Sequence, residues 1–123
     1  LADRVDIKLE VPAPRDSDLM TPGATESSEV IRQRVLGAHQ RQLDRQGMPN
    51  ALLGTREIDK HCCTDKEGDQ LLRHALARLM LSARAYHRVL RVARTIADLA
   101  GDTATRAAHI AEAIQYRRLD VQF

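Results

Sequence analysis

From Leu72 to Ile114 the apolar residues recur three and four positions apart, and each run is bounded by residues that start or stop helices. Leu72, Ala75, Leu76, Leu79 and Met80 make one run. Tyr86, Val89, Leu90, Ala93, Ile96, Ala97 and Ala100 make a second, and Ala107, Ile110, Ala111 and Ile114 a third. A period near 3.6 puts each set on one helix face, so this half of the chain must bury amphipathic helices against one another. Thr64, with Glu67 three residues on, reads as a capping box; Ser82 caps the next helix, Gly101 stops it, and Thr105 opens the last.

Upstream the same grammar holds with a weaker pattern. Ser27 or Ser28 caps a helix whose stripe is Val30, Ile31, Val35, Ala38 and Leu43, stopped by Gly47 with Pro49 behind it. A short helix fits Thr55 to Cys62, with Ile58 and Cys62 inward. The only aromatic residues are Tyr86, Tyr116 and Phe123, so the core must be built from Leu, Ile, Val and Ala. Helices pack such residues well, whereas sheets draw on aromatics.

The N-terminus departs from this pattern. Val5, Ile7, Leu9 and Val11 alternate with Asp6, Lys8 and Glu10, which predicts a strand over residues 4–11 ended by Pro12 and Pro14. No second strand pattern follows, so the strand needs a sheet outside this chain or a second copy. Residues 12–25 read as a linker. The chain opens on Leu1, inside the strand pattern, as expected of an excised piece of a larger protein.

Charge and cysteines narrow the function classes. The net charge is +2, but nine arginines lie between Arg73 and Arg118 against Asp98, Asp102 and Glu112. Basic charge so placed suits phosphate, on a nucleotide or on a nucleic-acid backbone. There is no secretory signal and no apolar run near the ~20 residues of a membrane span. Cys62 and Cys63 are adjacent, a poor geometry for a mutual disulfide, so a cytosolic protein with reduced thiols and no membrane partner is expected. His61, Cys62, Cys63 and His74 lack the spacing of a zinc site, and no metal is expected in the chain. None of the six glycines is followed by Lys, so the phosphate-cradling loop of nucleotide hydrolases is absent.

Arg84, Arg88 and Arg91 fall at i, i+4 and i+7, with His87 and Arg94 beside them, opposite the apolar stripe of the helix that Ser82 starts. Arg84 sits in the first turn, where free backbone donors and the helix dipole favour anions. A planar guanidinium suits bidentate phosphate contact. A solvated polar face gives the same spacing, and both readings stand at this level.

The segments LADRVDIKLEVP (1–12), ESSEVIRQRV (26–35), LSARAYHRVLRVARTIADLAG (81–101) and HIAEAIQYRRLD (109–120) together resemble the magnesium-chelatase-like AAA+ ATPases. The likeness covers nearly the whole chain, with its main break in residues 13–25. It implies a mainly α fold: a C-terminal helical lid of four or five helices over residues 26–123. Residues 1–25 would be the end of the ATPase core, one leftover β-strand and a linker. By the same likeness, Arg4 matches the arginine finger that reaches a neighbouring subunit's nucleotide, and Arg84 matches the sensor-2 arginine on the ATP γ-phosphate. Arg88, Arg91 and Arg94 are candidates for DNA or subunit contact. Ala2 and Val5 depart from the family pattern without removing a charge.

The resemblance implies ATP and Mg2+ in the full-length protein, with neither held by this piece alone, other copies of itself in a hexamer, and DNA as partner. The function implied is that of a DNA-acting motor promoting branch migration in natural transformation. The alternatives are a chelatase-type ATPase subunit and a stand-alone basic DNA-binding module.

Overall fold

The computed structural model describes residues 5–13 and 25–117. Within them the order is α1 (Ser28–Gln46), a 3-10 turn (Asn50–Leu52), α2 (Thr55–His61), α3 (Lys66–Arg78), α4 (Ala83–Ala100) and α5 (Ala107–Arg117). The fold is helical, as expected.

Helix ends follow local chemistry. The Ser27 hydroxyl accepts from the Val30 amide and the Ser82 hydroxyl from the Ala85 amide, satisfying donors that the first turn leaves free. Gly47 and Gly101 end α1 and α4 in the left-handed conformation, each at φ 78°. There the Gly101 and Asp102 amides return to the Asp98 and Ala97 carbonyls.

α4 is the central element. α5 packs against both α3 and α4, while α1, α2 and the 3-10 turn pack on α4. Leu72 of α3, Val89 and Ala93 of α4, Ile110 of α5 and Cys62 after α2 have no exposed surface, and Leu53, Ile58, Leu90, Ala113 and Ile114 close the core around them. Each belongs to a run or short helix read from the periodicity or lies beside one.

Several expectations are corrected. Residues 5–11 form no strand: their alternation suits a sheet, but a strand requires a partner edge, and the described residues supply none. The segment instead lies beside α5, where the Lys8 amide donates to the Tyr116 carbonyl at 3.1 Å, and Val5, Ile7, Leu9 and Val11 are exposed. The α1 stripe is also outward over its first half. Val30, Ile31 and Val35 are exposed, and burial begins at Ala38 and Gln42, where α1 meets α4.

Asp65, not Thr64, caps α3, accepting from the Gly68 amide at 2.7 Å. The Thr64 hydroxyl donates to the Thr105 carbonyl at 3.1 Å, within an isolated parallel bridge between these two threonines. That bridge keeps Thr105 ahead of α5 rather than in it. Met80 lies past the end of α3 at φ 52° and is almost fully exposed. Ala100, expected inward, is exposed.

Cys62 is fully buried and Cys63 exposed, and both are free thiols. Burial pushes the Cys62 thiol up to about 11, although the nearby Arg45 charge opposes this. No helix among the described residues is long and apolar enough to cross a membrane.

Candidate phosphate-binding face

The Ser82 cap fixes where α4 begins and thereby puts Arg84 in its first turn. Arg84, Arg88 and Arg91 follow one another up one face of α4, and with His87 they line an open cleft of about 360 Å³. Leu53, Gly54, Thr55 and Ile58 form the opposite wall, and no carboxylate lines the cleft. The His87 imidazole lies 3.2 Å from Asp59 and edge-on to the Tyr86 ring.

The arginines on this helix are not equivalent. Arg84 is exposed and, among the described residues, makes no ion pair. Arg88 is half-buried, and its Nη1 lies 3.6 Å from the Asp6 carboxylate. Arg91 donates to the Ala51 carbonyl at 2.9 Å, tying α4 to the 3-10 turn.

Arg94 does not belong to the exposed face. It is 4% exposed and donates to Asp98 at 2.9 Å, to the Asp102 carbonyl at 2.8 Å and to the Thr103 carbonyl at 3.2 Å. Six residues beyond Arg88, it is rotated by about 120° around the helix from that residue. The rotation carries it off the arginine face and under the loop that follows α4. Its hydrogens and charge are used within the protein, and a DNA or subunit contact through it has no exposed group to work with.

Asp98 is the residue that reading the sequence missed. It is fully buried and receives Arg45 Nη1 at 2.8 Å, Arg45 Nη2 at 3.2 Å and Asn50 Nδ2 at 3.0 Å, besides Arg94. Arg41 donates to its backbone carbonyl at 2.6 Å. Burial alone would raise this carboxyl. The hydrogen bonds from Arg45 and Asn50 and the charges of Arg94 and Arg45 outweigh it and hold the group below its usual range. The network fastens α1 and the 3-10 turn to α4, and so fixes the helix that carries Arg84. The Arg94–Asp98 pair was legible as an i, i+4 spacing. The arginines from α1 were not, being more than fifty residues away.

His109 is 9% exposed. Its Nδ1 accepts from the Arg106 amide at 2.9 Å, and its Nε2 lies 2.9 Å from Asp102. It ties the start of α5 to the end of α4. Arg4, the other residue singled out in the sequence, lies outside the described residues.

Residues 25–117 match the family described as magnesium chelatase, subunit ChlI C-terminal. The competence protein ComM of Haemophilus influenzae is 42% identical over 118 residues, covering 95% of this chain and 23% of that protein. The uncharacterized protein YifB of Salmonella typhimurium is 41% identical over 119 residues, covering 96% of this chain and 24% of that protein. YifB of Escherichia coli K12 is 41% identical over 121 residues, with the same coverages. The chain thus spans about a quarter of the length of these curated relatives. With most of its length matched and a helical fold to accompany the match, the chain belongs to the C-terminal domain family of the magnesium-chelatase-like, AAA+-type ATPases.

Proposed function

We propose that this chain is the lid of a cytoplasmic AAA+ motor, and that Arg84 is the residue through which the lid meets the terminal phosphate of ATP. One observation carries the reading: of the four arginines on α4, Arg84 alone has neither an ion-pair nor a hydrogen-bond partner among the described residues, and it stands in the helix's first turn beside a cationic cleft. Arg88, Arg91 and Arg94 are each engaged within the protein. A guanidinium left free in a helix's first turn, beside amides aligned with the dipole, matches a phosphate in charge and geometry.

In this reading the lid rocks on nucleotide binding and carries Arg84 onto the γ-phosphate, where its charge offsets that developing on the transferring group. The cleft lining fits the anionic end of a nucleotide. A Mg2+ ion accompanying the nucleotide would neutralise phosphate charge, and its ligands would come from residues outside this lining. Arg4 acts in trans as the finger toward a neighbouring copy's nucleotide in a hexamer. The word "competence" in the name of the Haemophilus relative supports DNA as the track, with branch migration in natural transformation as the task. The family description favours a second reading, a chelatase-type ATPase that uses the same lid without DNA.

The deciding experiment measures ATP turnover of the full-length protein, wild type against Arg84→Ala, with and without branched DNA. The expected result is DNA-stimulated turnover that falls about tenfold or more in the variant, as when one preorganised transition-state donor is lost. Unchanged turnover in the variant removes Arg84 from the site. Turnover indifferent to DNA, yet lost with Arg84, selects the chelatase-type reading.

A further inference from the structure

A second cationic cleft, of about 410 Å³, lies where the end of α2 meets the loop between α4 and α5. Arg45, Lys60, Arg94 and Arg106 stand along it with a single carboxylate, Asp65. It shares no lining residue with the cleft beside Arg84.

The positive charge here is not cancelled from within. Arg45 and Arg94 both pair with Asp98, so two guanidiniums share one carboxylate and one charge is left over behind the cleft wall. Lys60 and Arg106 are exposed and have no ion-pair partner among the described residues. The Asp65 carboxylate already accepts from the Gly68 amide at the start of α3. Asp102, at the start of the loop, lies 2.9 Å from His109, and Glu57 lies 3.4 Å from His61.

Hydrogen-bond donors are left over at the same place. Arg106 stands directly ahead of α5, a helix of 11 residues. A guanidinium has no acceptor and cannot cap a helix N-terminus. His109 Nδ1 accepts from the Arg106 amide, but the amides of Ala107 and Ala108, the first two of the helix, have no acceptor among the described residues. The Thr105 hydroxyl completes the set. Thr105 lines the cleft and is 2% exposed, and its Oγ1 is buried without a hydrogen bond. Its carbonyl accepts from the Thr64 hydroxyl at 3.1 Å and the Asp65 amide at 3.3 Å, which fixes the backbone that carries the hydroxyl. Buried hydroxyls are nearly always paired, and one left over beside excess positive charge marks a place for an acceptor.

We infer that this cleft binds a phosphate group, at a site separate from the Arg84 face. Lys60 and Arg106 meet its charge, the Thr105 hydroxyl donates to one of its oxygens, and the start of α5 favours the anion. No aromatic side chain lines the cleft, so nothing there stacks on a base and recognition stops at the phosphate. The volume is that of a small-ligand site, which admits a backbone phosphate of a nucleic-acid strand as well as free phosphate.

The test follows amide NMR spectra of the 123-residue chain as inorganic phosphate or a short single-stranded DNA is added, with chloride at matched ionic strength as control. Saturable shifts at Thr105, Ala107 and Ala108 are expected with phosphate and not with chloride. Lys60→Gln and Arg106→Gln each weaken binding about tenfold, and Thr105→Val about fivefold. Because the Thr105 hydroxyl has no partner in the fold, Thr105→Val keeps or raises the thermal midpoint. Arg84→Ala leaves the shifts in place.

The same shifts with DNA at lower concentration than phosphate, lost as salt rises, assign the phosphate to a strand backbone. Shifts with phosphate and none with DNA assign it to a free anion. Shifts absent with both, equal with chloride, or undiminished in Lys60→Gln and Arg106→Gln overturn the site. Wild-type affinity in Thr105→Val, or a fall in its midpoint, shows that the hydroxyl serves no ligand and overturns it as well. Shifts that vanish in Arg84→Ala put the anion on the other face and overturn it too.

Discussion

Replacing Asp98 by alanine removes the acceptor on which α1, the 3-10 turn and α4 converge. The guanidinium of Arg94, 4% exposed, and the amide of Asn50, 2% exposed, then lose their carboxylate. Arg94 keeps the Asp102 and Thr103 carbonyls, which satisfy its hydrogens but do not neutralise its charge. Breaking a buried ion pair from one side costs about 3–5 kcal/mol. Arg45 keeps 25% of its side chain in solvent, so its lost pair adds no more than about 1 kcal/mol.

Set against the roughly 5–15 kcal/mol that holds a typical domain together, the loss is a large share of the total. Urea unfolding of the chain, followed by far-ultraviolet circular dichroism at neutral pH, reads it directly. With a slope of about 2 kcal/mol per molar urea, the midpoint falls by roughly 2 M.

Acid supplies a second check. The folded Asp98 carboxyl titrates below its unfolded value, so its contribution is fully present above about pH 4 and is lost as pH falls through the folded value. The gap between wild type and Asp98→Ala therefore stays constant from neutral pH down to about pH 5 and closes below about pH 4. A neutral-pH loss under about 1 kcal/mol, or a gap that persists in acid, refutes the assignment of Asp98 as the keystone of this network.

A thiol reagent on the native chain should modify Cys63 at once and Cys62 only after unfolding, because Cys62 is buried and its thiol is pushed up to about 11; equal rates measured by absorbance would contradict that burial. Gly101→Ala and Gly47→Ala should each cost about 1 kcal/mol in urea unfolding, since both glycines sit at φ 78° with no close neighbour in the way of a methyl group, and a neutral effect would show that neither cap is held left-handed. Arg4→Ala mixed with a full-length subunit defective in its own nucleotide loop should recover part of the ATP turnover if Arg4 acts across the interface, and mixing that never restores turnover counts against a trans role.

The amino-acid sequence by itself determined the helices, because the signals that start and stop a helix are local. Ser27 and Ser82 cap, Gly47 and Gly101 stop, and the spacing of Leu72, Val89, Ala93 and Ile110 assigns each helix its inner face. The same spacing put Arg84, Arg88 and Arg91 on one face before any fold was known. Periodicity tells which residues share a face but not what that face meets. The stripe of Val30, Ile31 and Val35 is well spaced yet exposed, and the alternation of residues 5–11 is that of a strand without a partner among the described residues.

Only the tertiary structure decided how the arginines divide. Arg94 turns inward because Asp98 and the loop after α4 receive it, and Arg41 and Arg45 of α1 reach that carboxylate and its carbonyl from more than fifty residues away. Arg88 is held through Asp6 from the far end of the chain, while Arg84 is left exposed. A guanidinium carries the same charge in every setting. Whether it is used within the fold or left for a ligand depends on which acceptors the packed helices bring to it, and those acceptors are distant in sequence.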